Sequence, residues 1–479
     1  MPHSTQFYIN GAWVNPIDGT ALDVINPSNE EVCATISLGG KADTDAAVAA
    51  ARAAFEDWAA TDPMDRIAAL ERVFEAYKAR AEDIAQAISA EMGAPIDMAR
   101  QQQVTSGDWH FEGLLAAARA FEWDAPLGDH APGERILHEP IGVCALITPW
   151  NWPMNQVVLK VAPALVAGCT MVLKPSEIAP LSGLVFAEIM DAAGLPNGVF
   201  NLVNGDGAGV GSQLSAHDGV DMVSFTGSTR AGRLISKAGA DTIKRVSLEL
   251  GGKGANLIFG DAHEKAVKRG ALRVFNNSGQ SCNAPTRMVV EEQRYHAAVE
   301  EAAAVADAMA VGPSSEAGRH IGPVVSEVQY EKIQDLIQSG IDEGARLVAG
   351  GPGRPEHLNR GFFVRPTVFA DVTPDMRIYR EEIFGPVFAI MPFGDEDEAV
   401  AIANDTDYGL TNYVQTTDQG RARRLARRLR SGMVEVNGVG FGKGSPFGGY
   451  KQSGNGREGG LFGLHEFLEV KAVSDWGGA

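Results

Sequence analysis

Cysteine is scarce in this 479-residue chain. Its four residues, Cys33, Cys144, Cys169 and Cys282, are too far apart and too irregularly spaced for a CxxC or CxxH metal pattern. No disulfide framework is implied, and a reduced, cytoplasmic protein without a metal site is expected. Long apolar runs are missing too. The most apolar region, 157–173, is broken by Lys160, Pro163 and Gly168, whereas a membrane helix needs about 20 mostly apolar residues. The N-terminal MPHSTQFYING has no basic stretch leading into an apolar one, so no secretory signal is expected. Positive charge is in deficit, with 41 Lys and Arg against 61 Asp and Glu and a net charge of -20. That balance argues against nucleic acid or an anionic membrane as partner. The run RARRLARRLR at 421–430 does not reverse it. Leu425 and Leu429 at helical spacing make it a solvated amphipathic helix. An anionic cofactor stays compatible, because helix N-termini and backbone amides bind phosphate locally.

What is present is length, alternation and glycine. The chain is too long for one ordinary core, so two or three domains are expected. Its 55 glycines imply many tight turns and close backbone approaches. Residues 1–40 read as short strands and turns. From Asp43 the pattern becomes helical, with Val48, Ala51, Phe55 and Trp58 on one face and Asp43 or Asp45 as cap. A second helix follows Pro63, with Ile67, Leu70, Phe74 and Tyr77 aligned. A third carries Ile84 and Ile88 and stops near Gly93.

Beyond residue 140 short apolar runs recur, at IGVCALI (141), TMVLK (170), VFNLV (199), DMVSFT (221) and RVSLEL (245), with helix-length segments between them. Both faces of each run are apolar, which predicts βαβ units and a parallel, doubly wound sheet covered on both sides. A second alternation follows Gly254, with strand-like MVVEE (288), FFVRPTVF (362), FGPVFAIMPF (384), NYVQT (412) and MVEVN (433). It predicts a second α/β domain. In such sheets ligands bind beyond the carboxyl ends of the strands, which directs attention to the polar residues there.

The first strand runs into TPWNWP. Asn151 could donate to a developing oxyanion or make a local turn bond. The second runs into KPSE, where Lys174 and Glu177 are either a surface ion pair or a ribose site. The third runs into NGDGAGVG, which satisfies no GxGxxG register. Gly207 and Gly211 there are phosphate contacts or part of a flexible loop. The fourth runs into FTGST, where Ser228 either caps a helix or meets a pyrophosphate. The fifth ends in LELGGK. Burial would raise the pKa of Glu249 and suit it to general-base work, unless it only serves a structural partner. In the second domain, NNSGQSCNAP (276–285) presents Cys282 among small and polar residues between Gly279 and Pro285. Such a thiol is a nucleophile on a loop or an inert small core residue.

Together PWNWP (149–153), KPSE (174–177), FTGST (225–229), LELGGK (248–253), GQSC (279–282), EEIFGP (381–386) and PFGGYKQSG (446–454) resemble the aldehyde dehydrogenase superfamily, in family order across essentially the whole chain. The resemblance implies an α/β fold with three parts. These are an NAD(P)-binding domain at 1–118 and 140–251, a catalytic domain at 252–460, and a small β oligomerisation extension at 119–139 and 461–479. It implies Cys282 as nucleophile, Glu249 as general base, and Asn151 with the Cys282 N–H as oxyanion site. It also assigns Lys174 and Glu177 to the adenosine ribose, Ser228 to the pyrophosphate, Glu382 and Phe384 to the nicotinamide side, and Trp150 to the cofactor wall. Glu458 resembles a second acid used by some members in proton relay.

The reaction implied is oxidation of an aldehyde to a carboxylic acid through a thiohemiacetal and a thioester, with NAD as cofactor and NADP left open, in a homodimer or homotetramer. By similarity Trp109, Trp152, Gln156, Leu159, Ser281, Asn283, Phe441 and Phe447 line the substrate pocket. That mix suits a medium-sized aliphatic or aromatic aldehyde better than a short anionic semialdehyde. Rival readings are a CoA-acylating relative, which typically lacks the base at Glu249, a cofactor-independent thiol esterase, which would need a histidine partner, and a non-enzymatic structural protein.

Overall fold

Strands that are apolar on both faces need cover on both sides, and they receive it here. The structure, a computed structural model, describes residues 2–476. Its first sheet has eight strands in the order Gly454–Asn455, Arg245–Glu249, Met222–Thr226, Val143–Ile147, Thr170–Lys174, Phe200–Leu202, Phe7–Ile9 and Ala12–Val14. The five strands read from the sequence are its parallel centre. The chain starts at Val143–Ile147, steps outward through two strands on one side, then returns to the other side for the remaining two. The switch point therefore lies between the carboxyl ends of Val143–Ile147 and Met222–Thr226, where a doubly wound sheet opens a crevice.

Cover on the faces comes from amphipathic and buried helices. Lys41–Ala59 buries Val48, Ala51 and Trp58, with Phe55 half-buried, and Pro63–Ala79 buries Ile67, Leu70, Phe74 and Tyr77. The third helix, Ala81–Glu91, ends before Gly93, whose φ of +86° suits glycine. Pro153–Ala167 is buried along almost its whole length. Proline sits at its first position and Gly168 closes it in a left-handed conformation. Among the described residues no helix is long and apolar enough to cross a membrane.

The second sheet has seven strands, ordered Arg346–Ala349, Thr367–Ala370, Val387–Phe393, Arg287–Glu291, Ala255–Ile258, Thr411–Gln415 and Met433–Val436, parallel except at the first edge. A three-stranded antiparallel sheet joins Leu468–Val473, Arg135–Pro140 and Asp124–Pro126, and Thr20–Asn26 pairs with Glu31–Leu38 as a hairpin. The arginine-rich helix, Gln419–Arg428, buries Leu425, followed by buried Leu429. Arg421 pairs with Asp261, Arg424 with Glu396 and Arg428 with Asp397.

Several local expectations are corrected. Neither Asp43 nor Asp45 is the cap of the first helix. Gly40 is, and Asp43 reaches back from the first turn to accept its N–H at 2.9 Å, while Asp45 pairs with Lys41 on the surface. The stretch at 204–211 is no flexible loop throughout. Gly207–Gly211 is a helical turn running into Ser212–Ala216. The segment at 362 forms a strand only from Thr367, after Pro366. Ala255–Ile258, central to the second sheet, escaped notice because it is short and directly follows a glycine-rich turn.

Candidate active site

One cleft at the switch point gathers residues from both large sheets. Its walls include Trp150, Asn151 and Gln156 after the first strand, Thr226 and Ser228 after the fourth, Glu249 at the end of the fifth, and Cys282, Gln329, Lys332, Glu382 and Phe384 from the second sheet's side.

Backbone strain puts Cys282 there. Asn277, Ser278 and Gly279 take successive left-handed conformations, with φ of 53°, 54° and 74°. Such a run is costly for the two non-glycine residues and persists only where surroundings hold it. Position 279 admits no side chain, since a Cβ would lie 1.9 Å from the Gly385 carbonyl oxygen. Ser278 Oγ donates to the Gly322 carbonyl at 2.8 Å, and the Tyr413 hydroxyl donates to the Asn283 carbonyl. Cys282 is half-buried, on a turn in the wall of the cleft. Burial, then the charges of Glu382 and Glu249, hold its pKa well above the ordinary thiol value.

Glu249 is 2% exposed, and neither carboxylate oxygen has a hydrogen-bond partner among the described residues. Burial raises its pKa well above the carboxylate range. Glu458 raises it further, while Lys160 and Arg457 oppose. Behind it lies a buried ion pair, Lys160 Nζ to Glu458 Oε1 at 2.5 Å, with Ser224 Oγ 3.0 Å from the same nitrogen. Glu458 was anticipated from its resemblance; Lys160 and Ser224 were not. A lysine inside the apolar stretch VVLKVAPALVA was the available signal, since a buried lysine needs a partner.

Asn151 is buried, and its amide nitrogen donates to the Gln280 carbonyl at 3.0 Å. Ser228 caps the helix Thr229–Gly239 by accepting from Ala231 N at 3.2 Å, so it is a helix cap and a cleft residue at once. Trp150 and Phe384 meet edge to face at 5.4 Å. Glu382 accepts the Gly252 N–H at 2.8 Å, and Lys332 Nζ donates to its carbonyl at 2.9 Å.

Lys174, Glu177, Gly207 and Gly211 lie outside this cleft's walls, beyond the next two strand ends. Lys174 Nζ is 3.2 Å from Glu177 Oε2 and 2.8 Å from the Pro175 carbonyl, and a Cβ on Gly211 would lie 3.8 Å from its Cε. Burial lowers the Lys174 pKa, against the pull of Glu177. Gly207 faces open space. Of the residues expected around the substrate, Gln156 lines the cleft with Cys282. Trp152 Nε1 donates to Ser281 Oγ at 2.8 Å beside it, Trp109 is half-buried, and Phe441 is exposed. Among the described residues no group of acidic, histidine or cysteine side chains could hold a metal ion, and no histidine lines the cleft.

A thiol, an unpartnered buried acid and a buried amide at the switch point of a doubly wound sheet define a thiol enzyme built to work beside a nucleotide. The model of the aldehyde dehydrogenase family matches residues 13–473. The chain is 51% identical to a 3-succinoylsemialdehyde-pyridine dehydrogenase of a Pseudomonas species, over 99% of both chains. It superposes on a crystal structure of aldehyde dehydrogenase from Bartonella henselae with a TM-score of 0.98 and 58% identity, covering 99% of each chain. A cysteine-to-alanine mutant of aldehyde dehydrogenase C from Pseudomonas syringae, complexed with NAD+ and octanal, superposes with a TM-score of 0.97 and 48% identity, over 100% of this chain and 98% of that one. The chain belongs to the aldehyde dehydrogenase family, and is an oxidoreductase acting on an aldehyde.

Proposed function

We propose that this enzyme oxidises a medium-sized, uncharged aliphatic or aromatic aldehyde to the carboxylic acid with NAD, releasing the product by hydrolysis. The observation that carries the reading is the convergence of Cys282, Asn151 and the unpartnered Glu249 on one cleft.

The cleft suits a dinucleotide. Ser228 opens an 11-residue helix whose first N–H groups face an anion favourably, Trp150 and Phe384 make an apolar wall, and Glu382 offers a carboxylate to ribose hydroxyls. Lys174 and Glu177 form a second polar pair further along the strand ends, suited to the adenosine ribose, with Gly211 beside Lys174 and Gly207 open to solvent at the start of the same helical turn. NAD supplies the hydride acceptor when bound.

The protein's own groups do the rest. Cys282 Sγ gives its proton to Glu249, which passes it to the Glu458 carboxylate, and adds to the aldehyde carbon. The oxyanion is held by the Asn151 amide and the Cys282 N–H. Loss of hydride from that adduct leaves a thioester on Cys282. Glu249 then takes a proton from water, the hydroxide adds to the thioester, and the acid leaves as the thiol is restored. Burial raises the pKa of Glu249 and so strengthens it as a base, and the Glu458 carboxylate behind it is the group that takes protons on.

Retention of Glu249 favours hydrolysis over transfer to CoA. The Pseudomonas relative is named for an aromatic semialdehyde and the P. syringae structure holds octanal. Both support an apolar substrate of that size. We also assign 1–118 and 140–251 to cofactor binding, 252–460 to catalysis, and 119–139 with 461–479 to contacts between subunits of a cytoplasmic homodimer or homotetramer. The test is absorbance at 340 nm with NAD or NADP and a panel of aldehydes, beside Cys282→Ala and with CoA added in parallel. An NAD-dependent signal absent from the mutant is expected. Acyl-CoA in place of free acid, or faster turnover of an anionic semialdehyde than of neutral aldehydes, would overturn the corresponding part.

A further inference from the structure

The oxyanion amide is itself held by a fully buried network of side-chain amides. Asn151 donates from Nδ2 to the Gln280 carbonyl at 3.0 Å. Asn277 Nδ2 donates to that same carbonyl at 3.2 Å and to the Asn151 carbonyl at 2.9 Å. Gln103 Nε2 donates to the Asn151 carbonyl at 3.1 Å and to Asn277 Oδ1 at 3.3 Å. Gln280 Nε2 returns a bond to the Asn277 carbonyl at 3.2 Å, and its Oε1 accepts the Val325 N–H at 2.9 Å. Gln103 is 0% exposed, and Asn151, Asn277 and Gln280 are buried with it.

Gln103 is the outlier of the four. It comes from the N-terminal helical layer, far in sequence from both loops that it touches. It lies in Ala99–Val104, where the helix widens to π geometry between Ile96–Met98 and Thr105–Arg119. Such widenings shift the register of one side chain and recur at functional sites. Here the widening coincides with a glutamine whose NH2 bridges the turn carrying Asn151 and the left-handed turn carrying Asn277. Its Oε1 has no partner among the described residues. A glutamine kept in an apolar layer with half its capacity unmet is costly for stability alone. Its donors, however, join the oxyanion donor to the loop that presents the nucleophile.

We infer that Gln103 is a positioning residue for the reaction, setting the distance between the Asn151 amide and Cys282 by clamping the Asn151 carbonyl and Asn277 together. The inference rests on the proposed oxyanion role of Asn151. Gln103 touches no reacting atom; it acts through Asn151.

A double-mutant cycle separates this from a merely structural role. Gln103→Met keeps the volume and removes the donors. It is assayed with a good aldehyde and NAD, alone and combined with Asn151→Ala. Expected is a fall in kcat of about 10- to 100-fold in the wild-type background, as for a displaced catalytic group. The NAD dissociation constant should stay within about twofold. In the Asn151→Ala background the same substitution should cost less than about threefold, because its route is gone. Equal losses in both backgrounds, or no loss in either, would overturn the inference while leaving Asn151 in place. Full activity of Asn151→Ala alone would instead overturn the oxyanion reading beneath it. Should Gln103→Met not fold, Asn277→Asp, which removes the other side-chain donor to the same carbonyl, goes through the same cycle. Failure of both variants to fold would assign the network to stability and overturn the proposal.

Discussion

Gly252 faces the backbone carbonyl of Cys282 so closely that a Cβ on Gly252 would lie 2.3 Å from its oxygen. The strand end that carries Glu249 and the loop that carries Cys282 therefore meet backbone to backbone. Gly252→Ala should push the loop away. A displacement of about 1 Å at a reacting group is worth about 100-fold in rate, and overpacking of this kind costs about 1–3 kcal/mol. The check is kcat with a good aldehyde beside the melting temperature. Activity near wild type would mean that the loop has slack.

The Glu249–Glu458 pair predicts a pH effect with a definite sign. Burial first, then the negative charge of Glu458, raise the Glu249 pKa, and Lys160 pulls it down. Glu458→Gln removes a negative charge and leaves the Lys160 ammonium. Both changes favour the ionised base. The acid limb of kcat should move to lower pH by about one unit, the scale of one nearby charge. The measurement is a kcat–pH profile under conditions where deacylation limits the rate. A limb that stays put or moves upward would mean that the charge of Glu458 does not govern Glu249.

Lys160 and Glu458 are 1% and 6% exposed in their side chains. Breaking a buried pair leaves a charge without compensation, at about 3–5 kcal/mol. Lys160→Met should therefore lower the melting temperature markedly, and Lys160→Met with Glu458→Gln should recover most of the loss. Activity should not follow stability in the double variant, since the proposed proton route beyond Glu249 is gone. The comparison needs only thermal scans and steady-state rates on three proteins.

Glu91 offers a pH test away from the site. Its buried carboxyl accepts Ser182 Oγ at 2.6 Å and Ser182 N at 3.0 Å, at the start of the helix Leu181–Ala192. Burial nevertheless pushes its pKa up to about 7. A carboxyl raised on folding contributes stability that is full below its unfolded value and is lost as pH rises through about 7. The whole contribution is about 3 kcal/mol. Glu91→Gln should be less stable than wild type at pH 5, and its deficit should shrink by pH 8. Parallel melting curves at the two pH values would show that the carboxyl does not titrate there.

Period and punctuation made the five central strands readable, because a strand covered on both faces leaves an unbroken apolar run between turn signals. Residues past the first, fourth and fifth strand ends meet at the switch point, whereas Lys174, Glu177, Gly207 and Gly211, past the second and third, lie outside it. Ala255–Ile258 was unreadable because glycines fill its approach and only its tertiary neighbours make it a strand. Gln103 was unreadable for another reason. QQQ at 101–103 carries no local signal, and the choice of the third glutamine is made by a helix widening that only packing determines. Lys160 lay between these cases: its oddness in an apolar helix was visible, its partner 298 residues away was not.

One short strand bears on how the molecule comes into being. Gly454–Asn455 completes the first sheet by pairing with Leu248 and Glu249, and Asn455 Oδ1 accepts the Leu248 N–H at 3.0 Å. Ser453 adds its carbonyl to Leu250 N at 3.0 Å and its hydroxyl to the Gly251 carbonyl at 2.6 Å. During synthesis the strand carrying Glu249 thus waits, its edge unpaired, until residues 454–455 are made. A chain released early presents an open, sticky strand beside a half-built cleft, which is the kind of species that aggregates. The segment 453–458, made long after that strand, both seals the edge and brings Glu458 to Lys160. Closure of the sheet edge and burial of the Lys160–Glu458 pair therefore depend on one late-made segment.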